Sequence, residues 1–463
     1  MRRRCKFGFA SSRLCVENPT AMKVVSSELT TEQLVNHLHE ARSRLLELVR
    51  DLDDQQLIGP QLAIVNPLRW EIGHVAHFQE FWLLRHLRGY EPSQPAASLD
   101  SDKLYDSARV HHDTRWDLPL PSKQTTIDYT QRILDRVCEE VLKKPARSDA
   151  AGYDDNYFLH LSLLHEDMHN EAITYTRQTL GYGAPFLRQR DGEMQGQRER
   201  ETESLGDAFI PGGTFKLGSD ADSGFVFDNE LNAHEVTVAP FAISRTATSN
   251  AEFLVFVEDD GYRRREFWCN DGWNWRECAK ADHPAYWRQA DGEWQQRVFE
   301  QWRKLEPTLP VAHVNWFEAN AYCRWAGRRL PTEAEWELAA SLDKRKDKRN
   351  YPWGNEFPTA ERANLDWQAG GFLPVDALPA GDSVFGVRQM IGNVWEWTAT
   401  DFAPFNGFAP GPYKEYSAPW FGDHKVLRGG CWATRSRLIR SAYRNFYKPD
   451  RRDVWAGFRT CAK

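Results

Sequence analysis

Two histidines four residues apart, His165 and His169 in "LLHEDMHNEA", can grip one ion if they lie on a helix. Residues at that spacing differ by about 40° in azimuth, so both imidazoles project from one face. With Glu166 they spell His-Glu-x-x-His, the signature of zinc hydrolases that use the glutamate as general base. Glu166 follows His165 directly and so points roughly 100° away from it. A metzincin would continue with Gly and His where Ala172 and Tyr175 stand. The pair therefore needs a third ligand from elsewhere. "RWEIGHVAHFQEFW" offers one: Trp70, His74, His77 and Phe81 follow a 4-3-4 spacing that puts two imidazoles on a face with large aromatics. His74 is preferred, because the step to His77 moves along the axis toward the loop end. Three neutral imidazoles suit Zn, Cu or Fe(II), and open positions beside them are the arrangement of a non-heme iron oxygenase.

Helices must carry these histidines. "TTEQLVNHLHEARSRLLELVRDL" repeats Leu34, Leu38, Ala41, Leu45, Leu48 and Leu52 at the spacing of one buried face. A second helix is predicted from "NPLRW", with Asn66 as cap and Pro67 in the first turn, to Gly89. A third lies in "TTIDYTQRILDRVCEEVLKK", and a fourth, amphipathic like the others, ends at Gly181. Four such helices predict an up-down bundle, a common place for metal sites.

The predicted organisation is an N-terminal extension over 1–23, the bundle over 24–187, a linker over 188–206 that is charged and poor in large apolar residues, and a second domain over 207–463. The second domain reads as short runs with Gly and Pro punctuation and many Trp. Helices are expected at "WFEANAYCRWAG" and after Thr332, where Glu335 completes a capping box. The rest is irregular α+β.

The chain has 463 residues, 59 Lys plus Arg against 66 Asp plus Glu, and a net charge of −7 without long single-sign blocks. That disfavours nucleic acid as partner. No apolar run approaches the roughly 20 residues that span a bilayer, so no membrane association is expected. The eight cysteines form no C-x-x-C pair, which fits reduced thiols in a cytoplasm.

The N-terminal half resembles the DinB-like bundle. The second half, through "FIPGGTF", "LPTEAEWE", "PWGNE", "GNVWEWT", "RGGCW" and "AGFR", resembles the formylglycine-generating-enzyme (sulfatase-modifying-factor) fold, a C-type-lectin-like domain. In this order the combination resembles the ergothioneine and selenoneine synthases, non-heme iron enzymes that join sulfur or selenium to hercynine. The resemblance implies Fe(II) on His74, His165 and His169, with O₂ and hercynine as substrates. It implies hercynine contact by Asn445 and, through cation–π attraction, by Phe446. A phenol that gives a proton or electron near the metal is implied as well, with Tyr413 and Tyr416 as candidates and Tyr443 and Tyr447 behind them. Formylglycine-generating enzymes carry a copper-binding cysteine pair where Thr434 and Ile439 stand here, which disfavours sulfatase activation.

Sulfur-using members hold γ-glutamylcysteine with two arginines and an acid. This chain keeps Arg115 but has His112 at the other arginine and Tyr447 at the acid. A dipeptide with two carboxylates would lose a bidentate partner, whereas a neutral, hydroxyl-rich donor would not. The expected function is therefore an iron- and O₂-dependent selenoneine synthase that joins a selenosugar, 1-selenoglucose, to the imidazole C2 of hercynine. The alternative is a hercynine sulfoxide synthase using cysteine or γ-glutamylcysteine. A zinc hydrolase and a non-catalytic lectin-like module are the readings of a different class.

Overall fold

The computed structural model describes residues 29–95, 99–186, 205–343 and 347–463. The expected extension, 1–23, lies outside these residues, as does the expected linker except for Leu205 and Gly206. The N-terminal half is helical: α1 (Thr31–Val49), α2 (Asp54–Ile58), α3 (Leu68–Gln79), α4 (Ser101–Tyr105), α5 (Lys123–Lys143) and α6 (Asp155–Leu180). Thr30 and Gln33 close a capping box at the start of α1, and its buried face holds Leu34, Leu38, Ala41, Leu45 and Leu48 as predicted. Asp154 caps α6, and Gly181 ends it at φ 68, a left-handed geometry that glycine adopts freely. The long helices pack α1 on α6 and α3 on α5.

Two local expectations are corrected. Asn66 does not cap α3. Pro67 holds the cap position without a side-chain bond, while Asn66 Nδ2 donates to Glu71 at 2.9 Å and its Oδ1 accepts from Arg115 at 2.6 Å. Beyond Gln79 the helix widens into a π-helical turn, Glu80–His86. Glu80 is buried there and accepts from the Ser93 backbone at 2.6 Å and the Tyr129 hydroxyl at 2.8 Å.

The fourth helix is not amphipathic, because three of its faces are buried for different reasons. One row carries His165 and His169. A second, Glu166, Asn170, Ile173 and Arg177, enters the bundle core, where Asn170 donates to Ala41 O and Arg177 to Leu48 O. The third row, Asp167, Glu171, Thr174 and Gln178, receives the second domain. Trp395 Nε1 and Thr434 Oγ1 donate to Glu171, and Trp367 Nε1 donates to Thr174 Oγ1. Glu166, Asn170, Glu171, Thr174, Arg177 and Gln178 each have a partner from another element, and these contacts replace the solvent face.

The second domain adds α7 (Asn250–Glu258), α8 (Asn270–Ala279), α9 (Trp316–Trp325) and α10 (Glu333–Ser341). The last two are the predicted pair, with the Thr332/Glu335 capping box in place. Its strands form two four-stranded sheets, a two-stranded sheet and a three-stranded meander over 287–304. Buried Trp336, Trp395, Trp397 and Trp432 fill the core. The charged members of the sequence motifs are buried beside them as ion pairs: Arg428 with Glu333 and Glu337, Arg444 with Glu333, and Arg459 with Glu396. These motifs therefore hold the domain together. A side chain on Gly429, φ 96, would meet Met390 O at 2.6 Å, so the turn after Arg428 demands glycine.

Among the described residues no helix is long and apolar enough to cross a membrane, and the six described cysteines carry free thiols.

Candidate metal centre

His74 on α3 and His165 and His169 on α6 bring three candidate ligand atoms within 4.8 Å of one another. His74 Nδ1 donates to Tyr105 O at 2.8 Å, which fixes the tautomer and leaves Nε2 as the basic nitrogen. Gly73 makes this possible: a Cβ there would lie 2.2 Å from the Tyr105 ring. Nδ1 of His165 and of His169 is buried without a hydrogen-bond partner. Burial holds His74 and His165 well below the usual imidazole range, and the neighbouring histidines add to it, so both rings are neutral bases. Neutral imidazoles with unpaired nitrogens fit a divalent transition-metal ion.

Aromatic rings clamp the ligands. Trp70 stacks on His74 at 4.6 Å between centroids and Phe78 on His165 at 3.7 Å. Glu71 Oε2 faces His169 Nδ1 at 3.7 Å. Sequence reasoning missed Glu71 and Phe78. Trp70, His74 and Phe78 stand four residues apart, a helical row that the 4-3-4 reading through His77 broke. His77 lies off the site, with Nε2 bonded to Asp102 Oδ1 at 3.0 Å.

Glu166 is no general base. Its Oε1 accepts from Arg42 Nε at 2.7 Å and its Oε2 from Gln79 Nε2 at 2.7 Å, inside the bundle and on a different row from the imidazoles. Losing one partner of a buried pair costs about 3–5 kcal/mol. Glu166→Ala is accordingly expected to lower stability by about that amount in urea unfolding while the protein still binds metal. A variant of unchanged stability, or one that no longer binds metal, would contradict this placement.

Beside the histidines lies a cleft of about 480 Å³ lined by Asn66, Glu71, His112, Arg115, Tyr413 and Arg451. The Tyr413 ring packs edge-on against Phe78 at 4.9 Å and lies 6.1 Å from His165. Burial raises its phenol pKa, so it remains protonated. Tyr416 stands one step back: one of the Tyr416 and Tyr443 hydroxyls donates to the other at 3.0 Å, which leaves the second free to donate to Met168 Sδ, 3.6 Å from both. The Arg115 guanidinium sits 3.8 Å over Trp70 and donates to Asn66 Oδ1 and Val110 O, while its Nε is buried without a partner. Burial pushes its pKa down to about 10. His112 Nε2 donates to Val65 O at 2.7 Å.

The strand Asn445–Tyr447 pairs with Lys425–Leu427, and Phe446 packs edge-on against Tyr416 at 5.7 Å. Asn445 Oδ1 accepts from Phe446 N at 2.8 Å, and Phe446 stacks on Phe402 at 3.9 Å. Tyr447 lies under Arg451 at 5.2 Å. Arg451 itself is paired with Asp453 at 2.6 Å.

Residues 193–463 match the sulfatase-modifying factor enzyme 1-like domain family, and residues 37–173 match the DinB superfamily. The hercynine oxygenase of Mycolicibacterium thermoresistibile is 37% identical over 435 residues, covering 92% of this chain and 94% of that protein. The hercynine oxygenase of Mycobacterium tuberculosis is 37% identical over 432 residues, covering 92% of this chain and 98% of that protein. The formylglycine-generating enzyme of Streptomyces coelicolor is 33% identical over 292 residues, which is 58% of this chain and 92% of that relative.

Proposed function

The chain belongs to the family of the hercynine oxygenases, with a DinB-type bundle joined to a sulfatase-modifying-factor domain, and on that premise we propose that it oxidises hercynine with O₂ at an Fe(II) held by His74, His165 and His169. It is an oxygen-using oxidoreductase. The donor in the main reading is a thiol, cysteine or γ-glutamylcysteine, whose sulfur becomes bonded to the imidazole C2 of hercynine. The observation that carries the reading is the three-imidazole cluster beside an open cleft. The free thiols support a reducing, cytoplasmic setting.

The bound metal would supply the one-electron chemistry with O₂ that no side chain of the site offers. The protein's own groups do the rest. Tyr105 O and the stacked Trp70 and Phe78 orient the imidazoles, and Glu71 faces the outer nitrogen of His169. The Tyr413 phenol, protonated at the cleft wall with its ring 6.1 Å from that of His165, is assigned as the proton donor. Tyr416 and Tyr443 hold their hydroxyls on each other and on Met168, and so stand behind it. Asn445 and Phe446 are assigned to hercynine, with Arg115, His112 and Tyr447 on the donor side.

Tyr413→Phe is expected to lower turnover roughly 100-fold, the scale of a lost general acid, with hercynine affinity little changed. Tyr416→Phe should cost less. Steady-state rates and hercynine titration check both, and equal losses in the two variants would reverse the assignment.

A second reading makes the donor a selenosugar such as 1-selenoglucose. It is favoured by one observation: Asp453 neutralises Arg451 and a histidine, His112, stands at the second arginine position, which leaves Arg115, bonded to the neutral Asn66 and Val110, as the one uncompensated guanidinium of the two for a donor with two carboxylates. Anaerobic loading with hercynine and equimolar 1-selenoglucose, γ-glutamylcysteine and cysteine, followed by O₂ and mass analysis, separates the two. A sulfur adduct supports the main reading, and a selenium adduct the second.

A further inference from the structure

Between the end of α6 and the second domain lies another cavity, of about 310 Å³. Gln178 on its wall is roughly 13 Å further along the helix than His169, so the cavity is distinct from the metal cleft. Aromatic rings centred on Trp455 form one part of its wall, and Arg297, Arg303, Lys304 and Glu306 also line it. Trp455 packs against His313 at 4.6 Å, Trp432 at 5.1 Å, Phe372 at 5.7 Å and Phe299 at 6.1 Å. A mostly apolar cleft at a domain seam with a few placed polar groups is the usual form of a small-molecule site.

Three ring nitrogens of these lining residues are buried without a hydrogen-bond partner: His313 Nε2, Trp432 Nε1 and Trp455 Nε1. The amide of Gln178 is by contrast satisfied, accepting from Phe299 N at 2.6 Å and donating to Arg297 O at 2.9 Å. His313 and Phe299 also hold left-handed backbone, φ 59 and φ 55, which bulky residues rarely adopt. Such strain gathers at ligand sites.

The ring chemistry specifies what fits. His313 Nδ1 lies 3.2 Å from Arg452 O, and only an N–H makes that bond. Nε2 therefore carries a lone pair and accepts. Burial pushes the His313 pKa down to about 3, so the ring stays neutral at physiological pH. Each indole can only donate. A bare carboxylate satisfies the indoles and leaves the imidazole without a donor, and a hydrocarbon satisfies none of the three.

We propose that this cavity binds a small neutral aromatic molecule bearing a carboxamide or lactam, whose carbonyl accepts from Trp432 and Trp455 and whose N–H donates to His313. The flat ring occupies the aromatic box, and the amide supplies both missing halves of the hydrogen bonding.

Benzamide is the probe, with benzoate and toluene as comparisons, titrated into the iron-loaded full chain by calorimetry. A Cβ at Gly371, on the cavity wall, would meet nothing within 4 Å, and its backbone is not left-handed, so Gly371→Phe can fill the cavity without displacing its neighbours. The expected result is benzamide binding that Gly371→Phe weakens at least about tenfold, with benzoate and toluene weaker than benzamide by about tenfold or more. The indole proton resonances of Trp432 and Trp455 should move downfield with benzamide. Failure of benzamide to bind, binding unchanged by Gly371→Phe, or equal affinity for all three probes would overturn the proposal. The first of these would leave the three nitrogens to water.

Discussion

His74→Ala is expected to abolish metal retention and with it hercynine-dependent O₂ consumption, a loss exceeding about 100-fold, because even residues that only orient metal ligands typically contribute 10–100-fold. The reason is geometric. His165 and His169 share one helix row and leave the third position to α3, and His74 is the α3 imidazole whose candidate ligand atom lies within 4.8 Å of theirs. His77 cannot replace it, because Asp102 holds its Nε2 on another side of the helix. Iron content after anaerobic reconstitution, read beside oxygen uptake, checks this. Full iron content in the variant would exclude His74 as a ligand.

The second large effect is expected from Arg437→Ala. Arg437 comes from the second domain and meets Asp167 with two bonds, at 2.6 and 2.7 Å, and Glu40 of α1 at 2.6 Å. Asp167 lies on α6 between His165 and His169 and its side chain is fully buried. Without Arg437 that carboxylate keeps only Arg435, at 3.8 Å, so a destabilisation of about 3–5 kcal/mol is expected, the cost of breaking a buried pair from one side. The seam loosens at the same point, and Tyr413 reaches the metal centre only when the domains are docked. Turnover should therefore fall more than iron content. Unfolding in urea combined with activity below the transition measures both, and a variant with wild-type stability and rate would show that the domains are held by other contacts.

The clustering of His74, His165 and His169 was legible because helical spacing is a strong signal: a pair four residues apart restricts its partner to a face already carrying aromatics. The helix that bears the pair was harder to read. Its rows alternate between ligands, bundle core and domain seam, so burial all round erases the period that marks an amphipathic helix. Asp167, Glu171 and Arg437 look in sequence like ordinary surface charges, and only the tertiary structure pairs them. The π-helical turn at Glu80 was equally hidden, since it depends on Ser93 and Tyr129 approaching from elsewhere. In the second domain the Trp-rich motifs identified the fold, yet their charged residues turned out to be buried ion pairs that support the domain. Arg115 and His112 were singled out through the family resemblance as donor-side residues; both line the cleft, and their bonds to Asn66, Val110 and Val65 could not be read from the sequence.

The central claim is that a three-histidine iron site acts on hercynine. Anaerobic protein loaded with iron, hercynine and a thiol donor, then exposed to O₂, tests it most directly by mass analysis of the product. The account predicts hercynine carrying the donor's chalcogen at C2, formed only with iron, O₂ and all three histidines present. Product formed equally well by the His74→Ala protein, or hercynine recovered unchanged from the iron-loaded wild type, would contradict it.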